Sequence, residues 1–361
     1  MKNDNKVIIV IMAGGKGERF WPRSRIVQPK QTLAIGSEKP LLIETIERVS
    51  QISNKIFIST GKFLENPFRE LLKDYKVEYL IEPLGRDTAA AIGYCCHILD
   101  KKFGTDHLIA FIGSDYLIPE KELFQRHLEA AFKLADQENV IVTLGIKPTR
   151  PDATGYGYIQ EGEKLPDPLP GIKASKVKSF REKPNKETAI SYTEMGEYYW
   201  NSGMFVTKNG VMIEEIEKFL PEHHSAFIRM KNSGFDEDFV LDEFQNLEKI
   251  SIDFAVMEKT PKITMIKSIF RWDDMGDWEA YARISEKDDY HNTISGLFNG
   301  LKTENCVIFN GTDKLVCTIG VKDLIIINTR DALMICHKNE VQNVKKLVRR
   351  LGDSEEFKKF V

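Results

Sequence analysis

The sequence predicts an α/β protein with a mixed, mostly parallel sheet, followed by a small all-β unit. Three observations carry this reading. Through residue 146, short β-branched runs alternate with stretches of helical periodicity. The first of those runs leads straight into a glycine-rich segment, VIIVIMAGGKGERFWPRSRIVQPKQ at 7–31. From residue 290 the helical periodicity gives way to short β-rich runs separated by Asn-Gly, Thr-Asp and Lys-Asp turns. A chain of 361 residues exceeds what one core commonly organises. The expected boundary lies near residue 289, giving units 1–289 and 290–361.

In chain order, 7–12 reads as a buried strand and 40–52 as a helix opened by Pro40, with Leu42, Ile46 and Val49 on one face. Strands are expected at 55–60, 77–81, 107–112 and 140–146, with helices at 63–74, 88–103 and 120–135. Asp87 is the expected cap of the 88–103 helix and Gly104 its stop. This order implies helices on both faces of the sheet. The stretch 149–171, rich in Pro, Gly and Asp, reads as a hairpin or flap. Strands follow at 177–180, 204–207 and 263–268. Helices fill 211–219, parts of 222–258, and 278–284. About five strands and a closing helix at 340–351 complete the chain.

Composition narrows the function. A net charge of −3 argues against a broad nucleic-acid or membrane surface. With no run of 18 apolar residues, no membrane span is expected, and the polar start Met1–Lys6 does not read as a signal peptide. The cysteines Cys95, Cys96, Cys306, Cys317 and Cys336 form no C-x-x-C pair, which fits a reducing cytoplasm. Cys95 and Cys96 read as core, and His223-His224 as a surface cap after Pro221.

The opening loop is neither of the familiar phosphate motifs. Gly15 and Gly17 lack a third glycine, since Phe20 stands there. Gly15-Lys16 is followed by Gly17 rather than Ser or Thr, with Val10 at the upstream glycine position. Pro22 and Pro29 oppose a helix starting inside the loop. Lys16, Arg19, Arg23, Arg25 and Lys30 against Glu18 give 16–30 a local charge of +4. Such a loop can hold phosphates through backbone N–H groups, an Arg fork and a Lys point charge.

The segment AGGKGERFWPRSRIVQPKQ resembles the signature loop of the sugar-nucleotide pyrophosphorylases, their mannose-1-phosphate guanylyltransferase branch in particular. Similar blocks recur in order: EPLGRDTAAAI (82–92), GSDYLI (113–118), TGYGYI (154–159), FREKP (180–184), WNSGMF (200–205), SIDFAVMEK (251–259), WDDMGDW (272–278), IGVKDLIIINTRDALMIC and QNVKKLV. The resemblance implies a Rossmann-like nucleotidyltransferase domain and a short left-handed β-helix. It implies transfer of GMP from GTP to mannose 1-phosphate, without a fused isomerase. Arg19 would grip the leaving pyrophosphate, Lys30 the reacting phosphate and Lys183 the sugar phosphate. Ala13, Gly14, Gly15, Gly17, Glu82, Arg86, Asp87, Thr88 and Ser114 would bind the nucleotide. Gly157, Glu182, Asn201 and Glu258 would join Lys183 around the sugar phosphate, and Asp115 with Asp274 would hold Mg²⁺. Trp272 and Trp278 are expected around the metal loop, and the tail is expected to pack on the main domain and form a homodimer contact.

The chain departs from the usual family pattern at Gly113, Tyr116, Asp277 and Arg181, and reads Arg86-Asp87-Thr88-Ala89-Ala90 where Arg-Asn-Thr-Ala-Pro is common. Rival readings are a pyrophosphorylase for another sugar or base, and a non-catalytic nucleotide-sugar sensor. The latter should lack the acids and cations that this chain retains.

Overall fold

The computed structural model describes residues 6–361. Its first part runs β1 (Val7–Met12), α1 (Leu41–Val49), β2 (Ile56–Gly61), α2 (Glu65–Leu71), β3 (Glu78–Glu82), α3 (Asp87–Phe103), β4 (Leu108–Gly113), α4 (Lys121–Glu138) and β5 (Ile141–Ile146). It continues with β6 (Tyr158–Leu169), β7 (Ile172–Arg181), α5 (Lys186–Met195), β8 (Tyr198–Lys208), α6 (Asn209–Phe219), α7 (Pro221–Asn232), α8 (Glu237–Asn246), β9 (Ile263–Ser268) and α9 (Trp278–Ile284). These nine strands form one sheet in the order β3-β2-β1-β4-β8-β5-β9-β7-β6. All but β7 and β8 point the same way, so the sheet is mixed and mostly parallel.

Burial on both faces explains the continuous apolar strands. On one face Ile9, Ile11, Ile58 and Ala110 pack against Leu42, Ile46, Phe68, Leu128 and Phe132 of α1, α2 and α4. On the other, Ile8, Val10, Ile109 and Phe111 meet Ile92, Cys95, Met212, Phe227 and Phe244 of α3, α6, α7 and α8. Cys95 and Cys96 are core.

Several elements differ from the sequence expectation. The 149–171 flap is a loop feeding the β6–β7 hairpin, whose turn sits at Gly171 with φ +80°. β8 is eleven residues long rather than four; Gly203, at φ +69°, interrupts its pattern near a register shift against β5. α3 begins at Asp87 itself, in the left-handed region at φ +67°, where its carboxylate accepts from the neighbouring Thr88 N–H. His223 is not a surface cap. α7 packs on α3 and α8; His223 is buried, and its Nε2 pairs with the carbonyl of Glu248, just after α8, at 3.0 Å.

The tail holds six strands, one more than expected: β10 (Thr293–Ser295), β11 (Phe298–Leu301), β12 (Val307–Asn310), β13 (Val316–Ile319), β14 (Leu324–Asn328) and β15 (Leu333–His337). β10, β12 and β14 stack in parallel as one sheet, closed by antiparallel β15, while β11 and β13 stack as another. Successive coils are pinned by the Asn328 amide donating to Asn310 Oδ1 at 3.0 Å. A 3₁₀ stretch, Lys338–Asn343, leads into α10 (Val344–Gly352). The tail packs on the main sheet unit through a shared core. Phe20, Trp21, Met275 and Trp278 from one side meet Val307, Ile325, Val344 and Val348 from the other. Trp278 is the centre of that contact, 5.2 Å from the Phe20 ring and 5.5 Å from Phe309, and its indole N–H donates to the Trp21 carbonyl.

Candidate active site

β1 ends in an open loop that folds back on itself. Gln31 donates to the Gly15 carbonyl and Ser24 to that of Gly17, each at 2.7 Å. Gly17 adopts φ +65°, and a Cβ there would lie 2.4 Å from Lys30 Cβ. Only glycine allows this left-handed turn at such close approach. The turn sets Lys30 at the floor of a cavity of about 400 Å³. Lys30 is 5% exposed, and its Nζ lies 2.5 Å from Asp115 Oδ2 and donates to the Met275 carbonyl at 2.8 Å. Arg19 also lines the cavity and makes no ion pair among the described residues.

Asp115 and Asp274 are brought together by a backbone bridge. Leu117 and Asp273 exchange N–H···O bonds of 2.9 and 3.1 Å, which sets the strand-end after β4 beside WDDMGDW. The three carboxylates of that motif then have separate duties. Asp273 accepts a forked pair from Arg283. Asp277 caps α9 through the Glu279 and Ala280 N–H groups and accepts from Gln342 at 2.7 Å. Asp274 faces the cavity and accepts from the Tyr156 hydroxyl at 2.9 Å. Two carboxylates on one cavity are hard oxygen donors of the kind that magnesium takes. No group of three or more His, Cys, Asp or Glu able to hold a metal occurs among the described residues.

The far end of the cavity is polar. Glu182, Asn201 and Gly157 line it. A Cβ on Gly157 would fall 2.2 Å from Glu182 Oε2, so the glycine leaves the room that this buried carboxylate occupies. That oxygen has no hydrogen-bond partner among the described residues. Asn201 Nδ2 donates to Asp253 Oδ1 at 2.8 Å, while its Oδ1 accepts from the Gly203 N–H. Burial first, then the Glu182 charge, pushes the Asp253 carboxyl up to about 7; Lys183 opposes this. Glu258 lies behind the wall, accepting from the Glu182 backbone N–H at 2.8 Å. Lys183, at φ +46°, turns outward to pair with Glu182 Oε1.

Ala13, Gly14, Glu82, Arg86, Asp87, Thr88 and Ser114 do not line this cavity. They gather at the carboxyl ends of β1, β3 and β4 and the start of α3. Glu82 is buried, accepts from Ser59 at 3.3 Å and is raised to about 7 by desolvation. Arg86 ties its loop to α8 through the Phe244 and Gln245 carbonyls, and Thr88 Oγ1 accepts from the Ile252 N–H.

Sequence reasoning missed Asp253, Tyr156 and Lys345, which line the cavity together with Tyr116 and Trp272. Asp253, Tyr156 and Lys345 lie inside SIDFAVMEK, TGYGYI and QNVKKLV, blocks that carry the resemblance without marking these residues as part of a site. Two departures explain each other. A Cβ at Gly113 would lie 2.4 Å from the Tyr116 ring, so the bulk of Tyr116 and the absence of a side chain at 113 go together. Tyr116 packs edge-on to Trp272, which also meets Tyr156.

A nucleotidyl transferase family model matches residues 8–290, and a model for the mannose-phosphate isomerase/GMP-like β-helix domain matches 300–351. "Mannose-1-phosphate guanylyltransferase 2" of Escherichia coli O157:H7 is 37% identical over 97% of this chain, which spans 74% of that protein. The crystal structure of mannose-1-phosphate geranyltransferase from Thermus thermophilus superposes with a TM-score of 0.82 at 31% identity, covering 96% of this chain and 99% of that one. That of mannose-6-phosphate isomerase from Helicobacter pylori gives 0.61 at 27% identity, over 74% of this chain and 99% of its own. Matched by the nucleotidyl transferase model over most of its length and 37% identical to a mannose-1-phosphate guanylyltransferase along nearly all of it, the chain belongs to the mannose-1-phosphate guanylyltransferases, within the nucleotidyl transferase family.

Proposed function

We propose that the protein transfers GMP from GTP to mannose 1-phosphate, releasing pyrophosphate and forming GDP-mannose. The observation that carries this is one cavity with loop cations at one end and the Glu182–Asn201 cluster at the other, joined by Lys30, Asp115 and Asp274. A phosphate oxygen of mannose 1-phosphate attacks the α-phosphorus of GTP, and the bond from that phosphorus to the bridging β-phosphate oxygen breaks. Lys30, held by backbone carbonyls, stabilises charge at the reacting phosphate. Arg19 takes charge on the departing pyrophosphate. Glu182, Asn201 and Gly157 orient sugar hydroxyls, and Lys183 swings from Glu182 to the sugar phosphate. Magnesium on Asp115 and Asp274 would neutralise phosphate charge. Glu82, Arg86, Asp87, Thr88, Ser114, Ala13 and Gly14 form the nucleotide wall, with Glu258 fixing the Glu182 backbone.

We assign 1–289 as the catalytic domain and 290–361 as the accessory β domain. We place the protein in the cytoplasm as a homodimer. Support for dimerisation is the set of exposed apolar side chains on the tail: Leu297, Leu301, Leu315, Ile319, Leu333 and Ile335. A monomer by light scattering at micromolar concentration refutes the dimer. The activity is tested by pairing GTP, ATP, UTP and dTTP with several sugar 1-phosphates. Turnover of another pair but not of GTP with mannose 1-phosphate overturns the substrate assignment. Asp115→Ala leaving pyrophosphate release intact overturns the metal assignment.

A further inference from the structure

The tail does more than pack against the catalytic unit. α10 buries Val344 and Val348 in the core that also holds Phe20, and so its N-terminal turn lies against the 18–20 turn of the loop. Lys345, next to Val344, therefore stands at the edge of that contact and lines the same cavity as Lys16, Arg19 and Lys30. Its Nζ has a loose partner, Glu18 Oε2 at 3.8 Å, and its side chain is 45% exposed. Glu18 immediately precedes Arg19, so Lys345 sits at the Arg19 end of the cavity, away from the Glu182–Asn201 cluster.

We propose that Lys345 is a binding residue for the leaving pyrophosphate, supplied by the tail to a site otherwise built by the main sheet unit. The inference rests on the nucleotidyl-transfer reading above and adds to it a third element at the pyrophosphate end. A pyrophosphate spreads several negative charges over more oxygens than one guanidinium can clamp. Two of the loop's other cations have contacts of their own. Lys30 is held by Asp115 and the Met275 carbonyl, and Lys16 lies 5.3 Å from the Phe63 ring. Lys345 is on a flexible stem, half-exposed and only weakly paired, so exchanging the Glu18 carboxylate for a phosphate oxygen requires no backbone movement. The exchange also ties occupancy of the pyrophosphate end to the seating of α10.

The test is the purified full chain carrying Lys345→Ala, Lys345→Gln or Lys345→Arg, with the exposed neighbour Lys346→Ala as control. Steady-state kinetics run in both directions, and pyrophosphate is titrated calorimetrically in the presence of magnesium. The Ala and Gln variants are expected to keep the wild-type melting temperature. Their KM for GTP and for pyrophosphate, and their pyrophosphate Kd, should rise about tenfold, with KM for mannose 1-phosphate changed less than twofold. Lys345→Arg should restore most of the affinity, and Lys346→Ala should behave as wild type. Unchanged pyrophosphate affinity in both the Ala and Gln variants overturns the proposal. So does an equal rise in the KM for mannose 1-phosphate, or the same effect from Lys346→Ala. The titration does not depend on which base and sugar are used. Wild-type protein that binds pyrophosphate through Lys345 yet fails to turn over GTP with mannose 1-phosphate refutes the substrate assignment and leaves Lys345 standing.

Discussion

Replacing Lys30 by glutamine tests the centre of the site. Lys30 Nζ serves Asp115 Oδ2 at 2.5 Å and the Met275 and Asp274 carbonyls at 2.8 and 3.3 Å. Its charge is buried, whereas Asp115 remains 27% exposed. Two separable losses follow. For stability, the carboxylate loses its cation but keeps water, so the cost falls below the range of a fully buried pair, at roughly 1–2 kcal/mol. For catalysis, a fixed donor at the reacting phosphate is removed from a partly desolvated site, a loss of about 3–4 kcal/mol in the barrier, or roughly 10²–10³ in kcat. Lys30→Gln should therefore unfold at slightly lower urea while pyrophosphate release falls more than a hundredfold at saturating substrates. Adding Asp115→Asn should recover stability but not rate. A folded Lys30→Gln enzyme with kcat within threefold of wild type refutes the assignment of Lys30 to the reacting phosphate.

Gly17→Ala places a Cβ 2.4 Å from Lys30 Cβ in a left-handed turn. The strain of about 1–2 kcal/mol should appear as displacement of Lys30, lowering kcat at least tenfold with a small fall in melting temperature; unaltered kcat would contradict it. Asp253 is raised from 3.8 to about 7, so the folded state holds a proton that the unfolded chain releases. Its ionisation penalty grows as pH rises from 4 to 7, reaching at most about 4 kcal/mol. The stability of Asp253→Asn relative to wild type should accordingly climb between pH 4 and 7 in urea melts, and a pH-independent difference would exclude this. Asp277→Ser keeps a helix cap but loses the Gln342 bond, so it should cost about 1 kcal/mol. Asp277→Ala should cost about 1 kcal/mol more by losing the cap as well. Equal losses in chemical denaturation would show that the Gln342 contact alone matters.

The main sheet was legible because its strands are buried on both faces and its helices on one, so composition and period both report the layer. The order of the strands was not. β8 sits between β4 and β5, yet its first half includes Asn201-Ser202-Gly203, residues that serve the cavity rather than the hydrophobic pattern. The opening loop was legible through its glycines and charge, which are local properties. The carboxylate facing the cavity was named only through the resemblance, which picked Asp274, because the residues of WDDMGDW by themselves leave three aspartates equivalent until Arg283 takes Asp273 and Gln342 takes Asp277.

The last of those contacts shows why the tail belongs in any account of the site. Asp277 is held from both sides, by the first turn of α9 and by Gln342 of the tail. Three residues after Gln342 stands Lys345, at the cavity edge. Between them Val344 enters the core that contains Phe20, the residue next to Arg19. One short segment of the tail thus reaches the loop, the acid-bearing motif and the cavity at successive positions. A residue's role there depends on packing across more than 300 positions of sequence, from Phe20 to Val344, which no local period encodes. It follows that substitutions weakening the Phe20–Val344–Val348 contact should damage pyrophosphate affinity before they unfold the chain, although none of those side chains touches a phosphate.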